Sequence, residues 1–256
     1  MLRVSELYRE GRIVTTLLHI DSSARSGRSG TDQHGSHTRR LTARFVEQWR
    51  RFDPEVRIIR RDVGADPPAP VTHAWIRAAF TAEHRRDAGM REVLAASDEL
   101  VDELLAADLI VAGVPMYNFG PPAQFKAYID NIVRVGRTFG FDRNRAGEPY
   151  WPLLTEQNKR LVVLSSRGDY GYCPGERIAA QNHVESSIRT AFSYIGITRM
   201  WNVAVEYDEF ADQRLVESIA RAERDVARLV QELSVPEDHL DRSDRAARSR
   251  IREYNL

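Results

Sequence analysis

The sequence predicts an α/β domain. Its core is a doubly wound, five-stranded parallel sheet, order 2-1-3-4-5, with helices on both faces. Three observations predict it. Short β-rich runs alternate with longer stretches of 3.6-residue periodicity, and this pairing recurs down the chain. The runs are apolar throughout, as strands covered on both faces must be. The 256 residues suffice for one large core, and five strands suit this order better than a six-stranded dinucleotide fold.

Ile13 to Ile20 (IVTTLLHI) reads as the first strand, after a polar extension over 1–12. A Ser-, Gly- and Arg-rich loop follows, Asp21 to His37. Ser36 then caps a helix whose stripe is Leu41, Phe45, Trp49 and Phe52. Val56 to Ile59 suggests strand two. The proline-rich stretch Asp66 to Val71 excludes regular structure, and 73–88 reads as short helices above a site. Met90 to Ala107 is helical, and Asp108 to Val114 is strand three. PMYNFGPP leads into a helix from Pro121 to Val133. Arg160 to Ser166 is strand four. A helix marked by Ile188, Ala191, Phe192 and Ile195 ends at Gly196. Met200 to Val205 is strand five, and Leu215 to Leu233 is the last helix. The domain thus spans 13–233, with a charged tail over 234–256.

Composition removes several functions. Lys plus Arg and Asp plus Glu are both 37, which argues against a broad nucleic-acid footprint and a polybasic membrane anchor. A lone cysteine, Cys173, excludes an intrachain disulfide framework and a Cys-based zinc site. No apolar run nears the roughly 20 residues of a membrane helix. The N-terminus MLRVSELYREGR lacks the apolar core of a secretory signal, so a cytoplasmic protein is expected. No G-x-x-x-x-G-K-[ST] or G-x-G-x-x-G motif occurs where a phosphate loop would need it.

Open parallel sheets bind ligands at the carboxyl ends of their strands, near the reversal of strand order. That directs attention to three loops. The loop after strand one carries Ser22, Ser23, Ser26, Ser29, Ser36 and Thr38 and opens a helix, an arrangement suited to a phosphate dianion. The tip of strand three holds Met116, Tyr117, Asn118 and Phe119, a wall for a flat aromatic ligand or a plug under a turn. The loop after strand four, Ser166-Arg167-Gly168-Asp169-Tyr170, adds backbone donors. Together the three loops have the shape of a mononucleotide flavin site. His34 and His37 lack a clear carboxylate partner and suit a loop role better than metal ligation.

FVEQWR (Phe45 to Arg50), SDELVDELLAADLIVAGVPMYNF (Ser97 to Phe119) and the SSRG turn carry a further reading. Over Ile13 to Leu233 the chain resembles the FMN-dependent NADH-azoreductases, which are also quinone reductases, within the flavodoxin-like superfamily. The resemblance implies FMN as cofactor and NADH or NADPH as co-substrate. It also implies a quinone or azo acceptor, ping-pong kinetics and a homodimer with the active site at its interface. Residue by residue it implies FMN contacts from Met116, Tyr117, Asn118 and Phe119, and from Ser166, Arg167, Gly168 and Asp169. Ser23, Ser36, His37 and Thr38 would hold the phosphate, with Ser26 to Gly30 as the alternative. Phe141 and Tyr170 would belong to the substrate pocket, facing a partner's flavin together with Phe139. Arg77 or Phe80 would line the entrance.

Three departures from the family pattern stand out. The phosphate loop is longer, Asp169 replaces the last glycine of an SRGG turn, and Phe141 stands where some members have Tyr. The rival reading is a flavodoxin-like electron carrier that hardly oxidises NAD(P)H, which a net charge of zero disfavours. A receiver-type signalling module is excluded, because strand three ends in PMYNF instead of an Asp.

Overall fold

The protein is described here by a computed structural model covering residues 15–234. The polar extension and the charged tail beyond Ser234 lie outside the described residues.

The parallel sheet is built from β1 (Thr16–Asp21), β2 (Arg57–Asp62), β3 (Leu109–Pro115), β6 (Arg160–Ser166) and β7 (Arg199–Val205). Its order is β2-β1-β3-β6-β7, which is the expected 2-1-3-4-5 once only these strands are counted. All pairings are parallel; Leu17 lies opposite Leu109, and Leu109 opposite Arg160. β4 (Phe139–Phe141) and β5 (Tyr150–Pro152) form a separate antiparallel hairpin that the sequence pattern does not announce. Strands of three residues carry too little periodicity to be read.

Alternation along each strand feeds two cores. Leu17, Leu109, Val111, Val162, Leu164 and Trp201 face α1 (His37–Phe52) and α6 (Gln213–Ser234). Leu18, Ile20, Ile110, Ala112, Val163 and Met200 face the opposite side. There α3 (Ala88–Ala106), α4 (Ala123–Ile132) and α5 (Val184–Tyr194) cover the sheet. Helices therefore cover both faces, as a run of two-sided apolar strands requires.

Several boundaries follow from local chemistry. Ser36 caps α1 by accepting from the Arg39 N–H at 3.3 Å, as expected. Leu41, Phe45 and Trp49 point inward, while Phe52 at the helix end is exposed. α3 starts at Ala88, two residues before the expected Met90, with Asp87 as its cap. α4 begins at Ala123 because two prolines precede it. Gly196 (φ 102°) follows α5 in the left-handed region expected of it. α2 (His73–Ala79) and a 3-10 turn at Glu83–Arg85 fill the segment read as short helices. β2 is half-exposed at the sheet edge, where Arg61 pairs with Glu99 and Glu103. Such charge blunts an edge against further pairing. Among the described residues no helix is long and apolar enough to cross a membrane.

Candidate flavin site

The parallel arrangement puts the loops after β1, β3, β6 and β7 at one end of the sheet. The loop after β1 comes first. Ser22 bonds Gly113 through its hydroxyl (2.7 Å), and its carbonyl accepts from Gln124 Nε2 (2.8 Å). The close fit of α1 on β3 depends on Gly113. A Cβ there would stand 2.9 Å from Thr42 Cγ2 and 3.2 Å from Asp21 Oδ1. The ten residues from Ser26 to Gly35 fold back on the helix start. Ser29 N–H donates to Ser36 O (3.1 Å), and Ser36 N–H to Gly27 O (2.7 Å).

Ser23, Ser36, His37 and Thr38 come together at this helix start and are buried. Ser36 Oγ and Thr38 Oγ1 lie 2.9 Å apart. The His37 and Thr38 N–H groups open α1 and have no carbonyl four residues back within the helix. The His37 ring faces elsewhere. Its Nδ1 is 2.8 Å from Ser29 Oγ and its Nε2 3.0 Å from Asp208 Oδ1. Only its backbone is available to an anion at the helix start.

Arg39 organises this end from below. Buried itself, it donates to Arg25 O (2.7 Å) and Ser23 O (2.9 Å) and forms a fork with Asp62 (2.6 and 2.7 Å). The hydrogen bonds it donates to Asp62 raise the guanidinium's pKa against the effect of burial. Asp21 lies beside it. Burial pushes its carboxyl up, but His19, Thr42 and Arg39 together hold it below the usual value.

The tip of β3 is a two-residue turn. Tyr117 N–H donates to Gly120 O (2.9 Å) and Gly120 N–H to Tyr117 O (3.1 Å). Asn118 (φ 47°) and Phe119 (φ 70°) are both left-handed, as a turn of the I′ kind requires. Asn tolerates this region; Phe there costs on the order of 1–3 kcal/mol. Two contacts hold the turn in place: Phe119 O accepts from His183 N–H (2.9 Å), and Tyr117 Oη from Ala24 N–H (3.2 Å). The Phe119 ring is 47% exposed, and the Asn118 and Phe119 N–H groups donate to no acceptor among the described residues. An exposed aromatic on a strained turn with free donors is not packing the core. Met116 alone packs partly inward.

The turn after β6 rests on a buried ionic cluster. Arg167 is 2% exposed and donates to Glu185 Oε1 (2.6 Å) and Glu206 Oε1 (3.1 Å). Burial alone would lower its pKa; Glu185 and then Cys173 and Glu206 raise it. Its side chain is thus a strut under the turn, and its N–H is taken by Val205 O (2.8 Å). The Gly168 and Asp169 N–H groups donate to no acceptor among the described residues. At Gly168 the exposed Glu209 side chain crosses close to the backbone; a Cβ would lie 2.5 Å from Glu209 Oε1 and displace it. Asp169 pairs with Arg177 (2.7 Å), whose hydrogen bond holds the carboxyl below its usual value. The extra carboxylate is therefore neutralised locally and does not pair with Arg167.

The two substrate-pocket candidates lie apart. Tyr170 is at the strand tips, stacked on Tyr207 (4.7 Å) with Arg177 over its other side (4.4 Å). Phe141 stacks on Tyr150 (4.7 Å) in the β4–β5 hairpin. Tyr150 in turn meets Tyr194, at the far end of α5 from His183. An 11-residue helix measures about 16 Å, so Tyr194, which packs on the hairpin aromatics, lies about a helix length from the His183 end that holds the Phe119 turn. Phe139 is buried in the same aromatic group. Arg77 and Phe80 sit on and beside α2, which packs on α3.

Sequence reading misses Asp208, Arg39, Glu185 and Glu206. One signal was present: Glu206 directly follows the mostly apolar β7 (WNVAVE), where a charge is out of pattern. The group Cys173, Glu176 and Glu206 brings three ligand-type atoms within 4.8 Å. The Arg167 guanidinium bonded to Glu206 opposes a cation there.

A fold of this order with donors gathered at the strand tips defines a flavodoxin-like protein, and a family model described as flavodoxin-like fold matches residues 15–226. Relatives narrow this. An FMN-dependent NADH:quinone oxidoreductase 2 of Idiomarina loihiensis is 40% identical over 232 residues, covering 90% of this chain and 96% of the relative. An FMN-dependent NADH:quinone oxidoreductase of Opitutus terrae is 42% identical over 220 residues, 86% of this chain and 98% of the relative. The chain belongs to the FMN-dependent NADH:quinone oxidoreductase family. Among solved structures, an FMN-dependent NADH-azoreductase from Bacillus anthracis in complex with FMN superposes with a TM-score of 0.73. It is 17% identical and covers 87% of this chain and all of its own; that likeness concerns the fold.

Proposed function

We propose that the chain is an oxidoreductase that takes a hydride from NADH or NADPH through bound FMN and reduces quinones, azo compounds or both. The observation that carries this reading is the pairing of unpartnered donors at two ends of one loop cluster. At one end are the free His37 and Thr38 N–H groups, beside the Ser23, Ser36 and Thr38 hydroxyls, which already take part in local hydrogen bonds. At the other are the free N–H groups of Asn118, Phe119, Gly168 and Asp169 beside the exposed Phe119 ring. This donor set fits a flat ring that carries a phosphate arm.

When bound, FMN supplies two-electron chemistry that no side chain can. The chain's part is to bind and orient. The first turn of α1 holds the phosphate against the positive end of the helix. Phe119 and Tyr117 wall the ring, and Met116 supports that wall from inside. The Gly168 and Asp169 N–H groups would stabilise negative charge on a bound flavin, the logic of an oxyanion site. Arg167 keeps the turn that bears them rigid.

NADH and the acceptor take turns against the same exposed wall, so ping-pong kinetics follow. A homodimer would bring Phe141, and Phe139 behind it, from one copy to the Tyr170 side of its partner. Residues Tyr150 and Tyr194 of that aromatic group are about two-fifths exposed, as such an interface requires. The reliance on NADH and the bacterial relatives favour the cytoplasm. Initial rates measured with NADH and a benzoquinone, each varied at several levels of the other, test the scheme. Parallel double-reciprocal lines are expected; intersecting lines would mean a ternary complex and two separate pockets.

A further inference from the structure

We propose that Asp208 is a positioning residue for the phosphate end. Through His37 and Arg25 it latches the long first loop onto the start of α1, and so sets how strongly the site prefers a phosphorylated flavin. The inference rests on the flavin reading above and adds to it a residue from the loop after the edge strand β7.

Asp208 lies beyond β7, 171 residues from His37. Its Oδ1 is 3.0 Å from His37 Nε2, its Oδ2 3.6 Å from Arg25 Nη1, and its N–H donates to Arg167 O (3.1 Å). One residue thus touches both the phosphate loop and the turn after β6. The hydrogen bond from His37 is the main cause holding its carboxyl below the usual value, with Arg25 adding to it. On the other side of the imidazole, Nδ1 meets Ser29 Oγ at 2.8 Å. The ring is held at both nitrogens, and it pins Ser29 to the protein body.

What the latch holds is otherwise lightly tied. Residues Arg28 and Thr31 to His34 are exposed, and apart from a solvent-exposed approach of Arg28 to Glu47 (3.8 Å) their own contacts are short-range turns. Ser29 and Gly27 are the points where this loop reaches back to Ser36, through Ser29 N–H to Ser36 O and Ser36 N–H to Gly27 O. Ser36 is both the cap of α1 and the candidate phosphate ligand. Releasing His37 would therefore loosen the residues that shape the anion site, and ordering them on binding costs entropy.

A carboxylate near an anion site also has an opposing effect. A bare negative charge repels phosphate, so removing it would strengthen FMN binding if charge alone mattered. The latch predicts the reverse sign. The two roles are separated by comparing FMN with riboflavin, which lacks the phosphate.

The experiment titrates the flavin-free full chain with each flavin, following quenching of flavin fluorescence, for wild type, Asp208→Ala, His37→Ala and Ser29→Ala. His37→Ala breaks the latch but also leaves the Asp208 charge bare. Ser29→Ala frees the loop from the His37 ring with no change of charge and should lower the preference several-fold, so it decides the matter if Asp208→Ala does not fold. The expected result is a wild-type preference for FMN that falls about tenfold in Asp208→Ala and His37→Ala, the loss typical of an organising charged hydrogen bond. Riboflavin affinity should stay within about twofold. A preference that is unchanged or raised overturns the latch, including the case where both flavins weaken together through general loosening. A wild-type chain that binds FMN no better than riboflavin overturns the phosphate assignment, and the latch with it.

Discussion

The two ends of the candidate flavin site solve the same problem, gathering unpaired donors, in different ways. At the phosphate end the donors belong to the first turn of a regular helix, where free N–H groups arise without strain. Ser36 there does what a cap residue does in any protein. At the ring end the donors belong to backbone held against its preference. Asn118 and Phe119 are left-handed, and the next turn is propped by a buried arginine between two glutamates. The phosphate end is therefore cheap to fold and adjustable through its loop. The ring end stores strain and depends on the surrounding structure to keep it.

The sharpest way to break this contrast is to remove the prop. Arg167→Ala would leave Glu185 and Glu206 buried without their cation, and loss of one partner of a buried pair costs about 3–5 kcal/mol. Urea unfolding should show a loss of that size; a loss below about 1 kcal/mol would mean the ring end does not rely on the cluster. Next in size is the phosphate end. Ser36→Ala with Thr38→Ala should weaken FMN by about tenfold to a hundredfold, the worth of roughly 1.5–3 kcal/mol of charged hydrogen bonding. Unchanged FMN affinity in titration would move the phosphate to Ser26–Gly30. Phe119→Gly sharpens the strain argument, since it should raise the melting temperature by relieving about 1 kcal/mol while weakening FMN. A lowered melting temperature would show that the Phe119 ring packs more than it strains. The smallest effect concerns acid. The folded-state carboxyls of Asp21 and Asp208 lie below their usual value, so their stabilisation is complete above about pH 3.9. It is lost as pH falls through the lower folded values. Denaturant midpoints should be flat from neutrality to about pH 5 in this respect and then decline. For Asp208→Asn the decline should be shallower.

The same contrast governs what could be read in advance. The sheet order was legible because two-sided apolar strands and helical stripes are repeated signals, each confirmed by the next. The helix start at Ser36 was legible because a cap has a residue-type signature. The ring end was legible in position only. PMYNF marks the tip of β3, but nothing in those letters states that Phe119 is left-handed, since side-chain type argues against it. Arg167 reads as an FMN contact in an SSRG turn, and its side chain becomes a buried strut only when α5 and the end of β7 deliver Glu185 and Glu206. Asp208 and His37 are 171 residues apart, beyond the reach of any local pattern. The β4–β5 hairpin was missed because its strands are three residues long. Its aromatic cluster gathers Phe139, Phe141, Tyr150 and Tyr194 from three elements.

The central claim is that these loops hold a flavin that exchanges electrons with a nicotinamide and then with a quinone. The most direct test is an anaerobic absorbance spectrum of the full chain reconstituted with FMN, before and after adding NADH and then a benzoquinone. Bleaching of bound flavin by NADH and its return with the quinone is the predicted result. Bound flavin that responds to neither NADH nor NADPH would contradict the account in favour of an electron carrier, and absence of flavin binding would contradict the site itself.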